Sequence, residues 1–103
     1  MAAVIDGSIN VVSSDHSPAP PKLKQTESGD FLKAWGGISG LQYLLPATWT
    51  SLSAAGGDLS LLSRVLSVGP AKVAGLQGTK GQIAEGMDAD LLVGFRGGCP
   101  CAA

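Results

Sequence analysis

Residues Ile9 to Val12 form a short, largely β-branched apolar run, and the chain then turns abruptly polar at Ser13-Ser14-Asp15-His16-Ser17-Pro18. A run of this kind, bounded by turn residues, predicts a buried strand over Ile9–Ser13. Pro18 and the Pro20-Pro21 pair stop it, because proline fixes φ and has no N–H to give a ladder. Asp15 is therefore expected where a strand hands over to a loop, which is where α/β enzymes place their chemistry. His16, the single histidine of the chain, stands directly beside it.

The polar, proline-rich stretch from Pro18 to Gly29, with Lys22, Lys24 and Glu27, reads as a solvated loop. Asp30 is placed to cap a turn carrying Phe31, Leu32 and Trp35. Gly36-Gly37 permits a sharp reversal or a close backbone approach to a ligand. Ser39 is the expected N-cap of a helix from Gly40 to Ser53, kinked or restarted at Pro46 and closed by Gly56-Gly57. Asp58 suits the N-cap of a second helix, Leu59 to Leu66, and Pro70 the first position of a third, Pro70 to Ala74, which Gly75 ends. Gln82-Ile83-Ala84 and Leu91-Leu92-Val93 then flank a turn-rich Glu85–Asp90 and predict a β-type connection.

Composition narrows the function classes. At 103 residues the chain is at most one domain, and a net charge of −1 with 15% charged residues argues against a nucleic-acid or anionic-membrane partner. No apolar stretch approaches the ~20 residues of a membrane span, and the N-terminus lacks a signal-peptide pattern. A hydrophobic content of 45% with mean hydropathy +0.26 is high for so small a domain. Such a chain is expected to expose apolar area unless something covers it, as a piece of a larger fold would. Cys99 and Cys101 could chelate a soft metal, but a Cys-x-Cys pair in a tail is more often without function.

Two stretches carry a family resemblance. Ser14-Asp15-His16-Ser17-Pro18, followed by Phe31-Leu32-Lys33-Ala34-Trp35-Gly36-Gly37-Ile38-Ser39-Gly40-Leu41-Gln42, is the first. Gly69-Pro70-Ala71-Lys72-Val73-Ala74-Gly75-Leu76, then Lys80-Gly81-Gln82-Ile83-Ala84-Glu85-Gly86-Met87-Asp88-Ala89-Asp90-Leu91-Leu92-Val93, is the second. Together they resemble the C-terminal part of the allantoinase family of cyclic amidohydrolases, over roughly Asp6 to Val93. The resemblance implies an α/β fold: the last strand and helices of a metal-dependent (β/α)₈ TIM barrel over 1–77, a returning segment of a small β-sandwich domain over 78–95, and a divergent tail over 96–103. It implies hydrolysis of the ring amide of allantoin to allantoate in purine catabolism, with a small-molecule substrate and a homo-oligomeric parent enzyme. A cytoplasmic location is expected, with mitochondrial and peroxisomal ones as alternatives.

The site residues come from the same resemblance. Family members hold two metal ions, usually zinc, with four histidines and a carboxylated lysine. Asp15 matches the aspartate that ligates one metal and takes a proton from the bridging hydroxide. His16 is expected to support the site from behind, since strand alternation sends it away from Asp15. The same alternation returns Ser17 to the side of Asp15, within reach of substrate. Gly36 and Gly37 are candidates to offer N–H and C=O groups to a planar ring amide, and Trp35 reads as core. The departures are Ala19 after Pro18, where these enzymes commonly carry cysteine, and the absence of any His-x-His or metal-bridging lysine. One aspartate cannot hold two zinc ions, so the chain alone is expected to be inactive. A dihydroorotase- or dihydropyrimidinase-like hydrolase, a non-catalytic interaction module and a truncated product remain the alternatives.

Overall fold

The longest helical path in the chain runs from Leu59 to Val73, and Pro70 decides its shape. The computed structural model describes residues 1–94. Helices α1 (Ala2–Ile5), α2 (Leu44–Ala54), α3 (Leu59–Ser63) and α4 (Gly69–Val73) are joined by two 3₁₀ turns, Pro21–Lys24 and Leu41–Tyr43, and by a π turn at Arg64–Val68. Asp58 stands in extended backbone before α3, and its carboxylate accepts the Leu61 N–H at 2.8 Å. Pro70 cannot donate to the preceding turn, so an α register through this point would leave a carbonyl without its N–H. The path widens instead, and the Gly69 N–H reaches back five residues to the Arg64 carbonyl. At its far end Gly75, at φ +73°, closes α4: its N–H meets the Lys72 carbonyl at 3.2 Å while Leu76 N–H meets that of Ala71 at 2.8 Å.

The π turn also anchors the N-terminal segment. Val12 donates its N–H to the Val65 carbonyl at 3.1 Å, and Arg64 Nη2 donates to the Val4 carbonyl at 2.8 Å. These ties hold residues 4–12 across the helical path. Helix α2 begins after the Leu41–Tyr43 turn, which leaves Pro46 in its first turn, where a missing N–H costs no intrahelical bond. Its buried face presents Thr48 and Leu52. Leu52 joins Val4, Leu62 and Val65 in a small core, with Val12, Trp49, Leu61 and Leu66 packed around it.

The structure corrects the expected fold class. Among the described residues there are helices and turns but no strand, so neither the terminal strand of a TIM barrel nor a β-sandwich portion is present in them. The physical reason is pairing: a strand exists through a ladder, and Ile9–Val12 finds only a helix beside it. The Ile9 N–H goes to the Ala3 carbonyl at 2.7 Å and the Val12 N–H to a π-turn carbonyl, while Ile9 itself is 46% exposed. Gln82–Ala84 and Leu91–Val93 are likewise unladdered, and the turn between them is closed by Met87 N–H to the Ala84 carbonyl. The divergent tail expected over 96–103, with Cys99 and Cys101, lies outside the described residues.

Apolar exposure is extensive, as the composition predicts. Phe31, Leu32, Ile83 and Val93 are nearly bare, and the accessible surface of 7976 Å² exceeds the about 5,400 Å² usual for a folded protein of this mass. The radius of gyration of 17.3 Å likewise exceeds the about 13 Å of a closely packed chain of this length. No helix among the described residues is long and apolar enough to cross a membrane.

Candidate functional site

Asp15 sits at φ +47°, in the left-handed region, and is exposed. Aspartate tolerates this conformation better than most residues, because its short side chain can bond locally. The positive φ breaks the extended run, so the alternation that would place Asp15 and Ser17 on one side does not apply. The backbone is held on both sides of the bend. The Ser14 hydroxyl accepts the His16 N–H at 3.3 Å, and the Ser17 N–H meets the Ile38 carbonyl at 3.0 Å.

His16 has a defined task. Its Nδ1 accepts the Leu41 N–H at 3.1 Å, which places the ring proton on Nε2. Leu41 opens the 3₁₀ turn that leads into α2, so the imidazole fills the capping role that the sequence assigns to Ser39. The Asp-His pair is thereby fastened to the helix start by a contact 25 residues long.

Ser17 and Gly37 are brought together so closely that only glycine fits. A Cβ on Gly37 would lie 2.3 Å from the Ser17 carbonyl oxygen and 2.6 Å from its hydroxyl. Gly36 is the opposite case, with no atom within 4 Å of where its Cβ would stand. Trp35 is not core: it is half exposed, and its Nε1–H donates to the Ser17 carbonyl at 3.2 Å. Lys24, which the sequence assigns to a solvated loop, donates from Nζ to the Trp35 carbonyl at 2.9 Å and also to the Gly37 carbonyl. No periodicity or motif announces that contact, which spans 13 residues.

The donors of a metal centre are not assembled in these residues. Among the described residues no three His, Cys, Asp or Glu side chains converge to hold an ion, and His16 Nδ1 is already engaged by Leu41. Asp15 supplies a single carboxylate, which does not make a two-zinc site. Elsewhere, Lys80 Nζ bridges Asp88, at 2.8 Å, and Asp90, and these carboxylates hold its ammonium above the ordinary lysine range. This trio borders a cleft of ≈ 530 Å³ shared with Ser67, Ala71 and Ile83. None of Asp15, His16, Ser17, Gly36 and Gly37 lines it.

The stretch that surrounds Asp15 lies within a region shared with known proteins. No protein-family model matches the chain. A "Probable allantoinase" of Oryza sativa subsp. japonica is 48% identical over 91 residues, covering 88% of this chain and 18% of the rice protein. "Probable allantoinase 2" of Dictyostelium discoideum is 47% identical over 96 residues, again 88% of this chain and 19% of the relative. "Allantoinase, mitochondrial" of Aquarana catesbeiana is 50% identical over 74 residues, 72% of this chain. A match covering 88% of 103 residues necessarily takes in positions 15 to 37. The chain is allantoinase-like. It spans about a fifth of the length of the rice and Dictyostelium relatives, and the bend at Asp15, the His16–Leu41 contact and the Gly37 turn all fall within the shared stretch.

Proposed function

We propose that this chain is the Asp15-bearing portion of an allantoinase-type hydrolase, acting on the ring amide of allantoin to give allantoate. The observation that supports the reading is the 48% identity to the rice protein over 91 residues, a span that takes in the Asp15 bend and the Gly36-Gly37 turn. In this reading Asp15 is a metal ligand and the proton acceptor. Its carboxylate takes a proton as water attacks the amide carbon, and returns it to the ring nitrogen as the C–N bond breaks. Gly36 and Gly37 bind the flat face or edge of the ring through main-chain groups, and Ser17 stands beside them. His16 orients the Asp15 bend from the start of α2.

The test places this chain in a complete protein. The stretch is grafted in place of its counterpart in the rice relative, and allantoin turnover is followed by allantoate release. The chimera should be active, and Asp15→Asn should lower turnover by about 10²–10⁴-fold, as expected on losing a general base. Zinc content, measured alongside, separates loss of the proton acceptor from loss of metal. An inactive chimera with its full metal content, or an Asp15→Asn variant with parental turnover, overturns the reading.

A further inference from the structure

We propose that Lys24 is a positioning residue, whose ammonium gathers the Trp35 and Gly37 carbonyls so that the intervening Gly36 peptide is held open toward the space in front of the Asp15 bend. The inference rests on the reading of Gly36 and Gly37 as a ring-amide subsite. It begins from the chain segment itself. Pro20-Pro21 starts a 3₁₀ turn over Pro21–Lys24, and Gln25 ends it in the left-handed region at φ +54°. That reversal leaves Leu23 and Lys24 beside the double glycine. The Leu23 carbonyl accepts the Trp35 N–H at 2.8 Å, and Lys24 Nζ donates to the carbonyls on either side of Gly36.

The opposite side of the turn is held as firmly. Ser17 receives the Trp35 indole N–H on its carbonyl and gives its own N–H to Ile38. Gly37 is pressed against Ser17 so closely that a Cβ would overlap it. Residues 35, 37 and 38 are therefore tied down from two directions, and Gly36 is left with open space around it. Among the described residues no hydrogen bond engages the Gly36 N–H, the Gly36 carbonyl or the Gly37 N–H. A ring ureide presents adjacent N–H and C=O groups on one edge, and Gly36, whose own N–H and carbonyl are both unengaged between fixed neighbours, offers a complementary donor and acceptor with little ordering cost. Lysine suits the clamp, since an ammonium is a compact donor with three protons on a flexible stem.

Two measurements test it. In the 103-residue chain, Lys24→Met removes two charge-assisted hydrogen bonds and should speed amide exchange at Trp35 and Ser17 by at least about tenfold, the factor for losing one of them, and leave Leu62 in the core unchanged. Lys24→Arg, which can still donate to two carbonyls, should restore most of the protection. In the rice chimera, Lys24→Met should raise KM about tenfold with kcat within about twofold, because the lost contact is shared by ground and transition states. Unchanged exchange at Trp35 and Ser17, or a fall in kcat at constant KM, overturns the positioning role. A chimera with its full metal content but without turnover overturns the function reading instead, and the exchange result then decides the clamp by itself.

Discussion

Gly37→Ala should open the turn beside Asp15, while Gly36→Ala, one residue away, should not. The added Cβ at position 37 would lie 2.3 Å from the Ser17 carbonyl oxygen. An ordinary carbon–oxygen contact is about 3.3 Å, so one side of the turn must retreat by about 1 Å. That movement places three bonds at risk: Ser17 N–H to Ile38, the Trp35 indole to Ser17, and Lys24 to Gly37. Neutral bonds contribute about 0.5–1.5 kcal/mol and bonds to a charged group about 1.5–3; the low end applies to exposed groups, giving about 2.5 kcal/mol together. Alanine also restricts the unfolded chain, which offsets about 0.4–1 kcal/mol. The remainder, about 1.5–2 kcal/mol, corresponds to a ten- to thirtyfold rise in the open population. Amide exchange at Ser17, read by NMR with Leu62 as internal reference, measures it directly. Gly36→Ala meets no atom within 4 Å and carries only the entropic term, so its exchange should be unchanged or slightly slower. Equal effects of the two substitutions would refute the close-approach argument.

The core and the acidic turn give two further tests. Leu52 is wholly buried beneath Gly57, so Leu52→Ala should cost about 2–5 kcal/mol and abolish any cooperative urea transition in so small a core. Leu32→Ala, at a fully exposed side chain, should stay within about 0.5 kcal/mol of the parent by the same circular-dichroism assay. The Lys80 ammonium is raised above its ordinary 10.5, first by its bond to Asp88 and then by that to Asp90. A raised folded value means that its contribution is complete below 10.5 and fades only as pH climbs above that point. The side-chain ¹³C shifts of Lys80 should therefore hold steady through neutral pH and move only in strong alkali, and earlier movement would count against the pairing. Because the groups are exposed, added salt should weaken the same signature.

Signals confined to a few residues were legible in the sequence, and signals that need a distant partner were not. Asp58 before an apolar run and Gly75 after α4 each act through their own backbone neighbours, so spelling alone locates them, whereas the helix expected from Gly40 with a kink or restart at Pro46 begins as an α-helix at Leu44. The strand at Ile9–Val12 fails for the complementary reason. Its β-branched residues favour extended backbone, but a ladder requires a second strand, and what lies alongside is a π turn produced by Pro70. The candidate site divides in the same way. The family resemblance nominates Asp15, His16, Ser17 and the two glycines as candidates. Their arrangement could not, because a left-handed bend at Asp15 cancels the alternation from which Ser17 was placed.

Lys24 shows the limit most sharply. Between prolines and polar residues a lysine has the composition of solvated loop, and nothing within ten positions of it indicates a partner. Its meaning comes from the reversal at Gln25, which returns the chain to the double glycine, and from a Gly37 that has no side chain to keep Ser17 away. The short Asp-His-Ser-Pro motif thus takes its geometry from residues 24, 35, 37 and 41, through contacts as long as 25 residues. A change of side chain at 24, 35 or 37, or a proline at 41 that removes its N–H, should disturb the bend at Asp15 while leaving every letter of the motif intact.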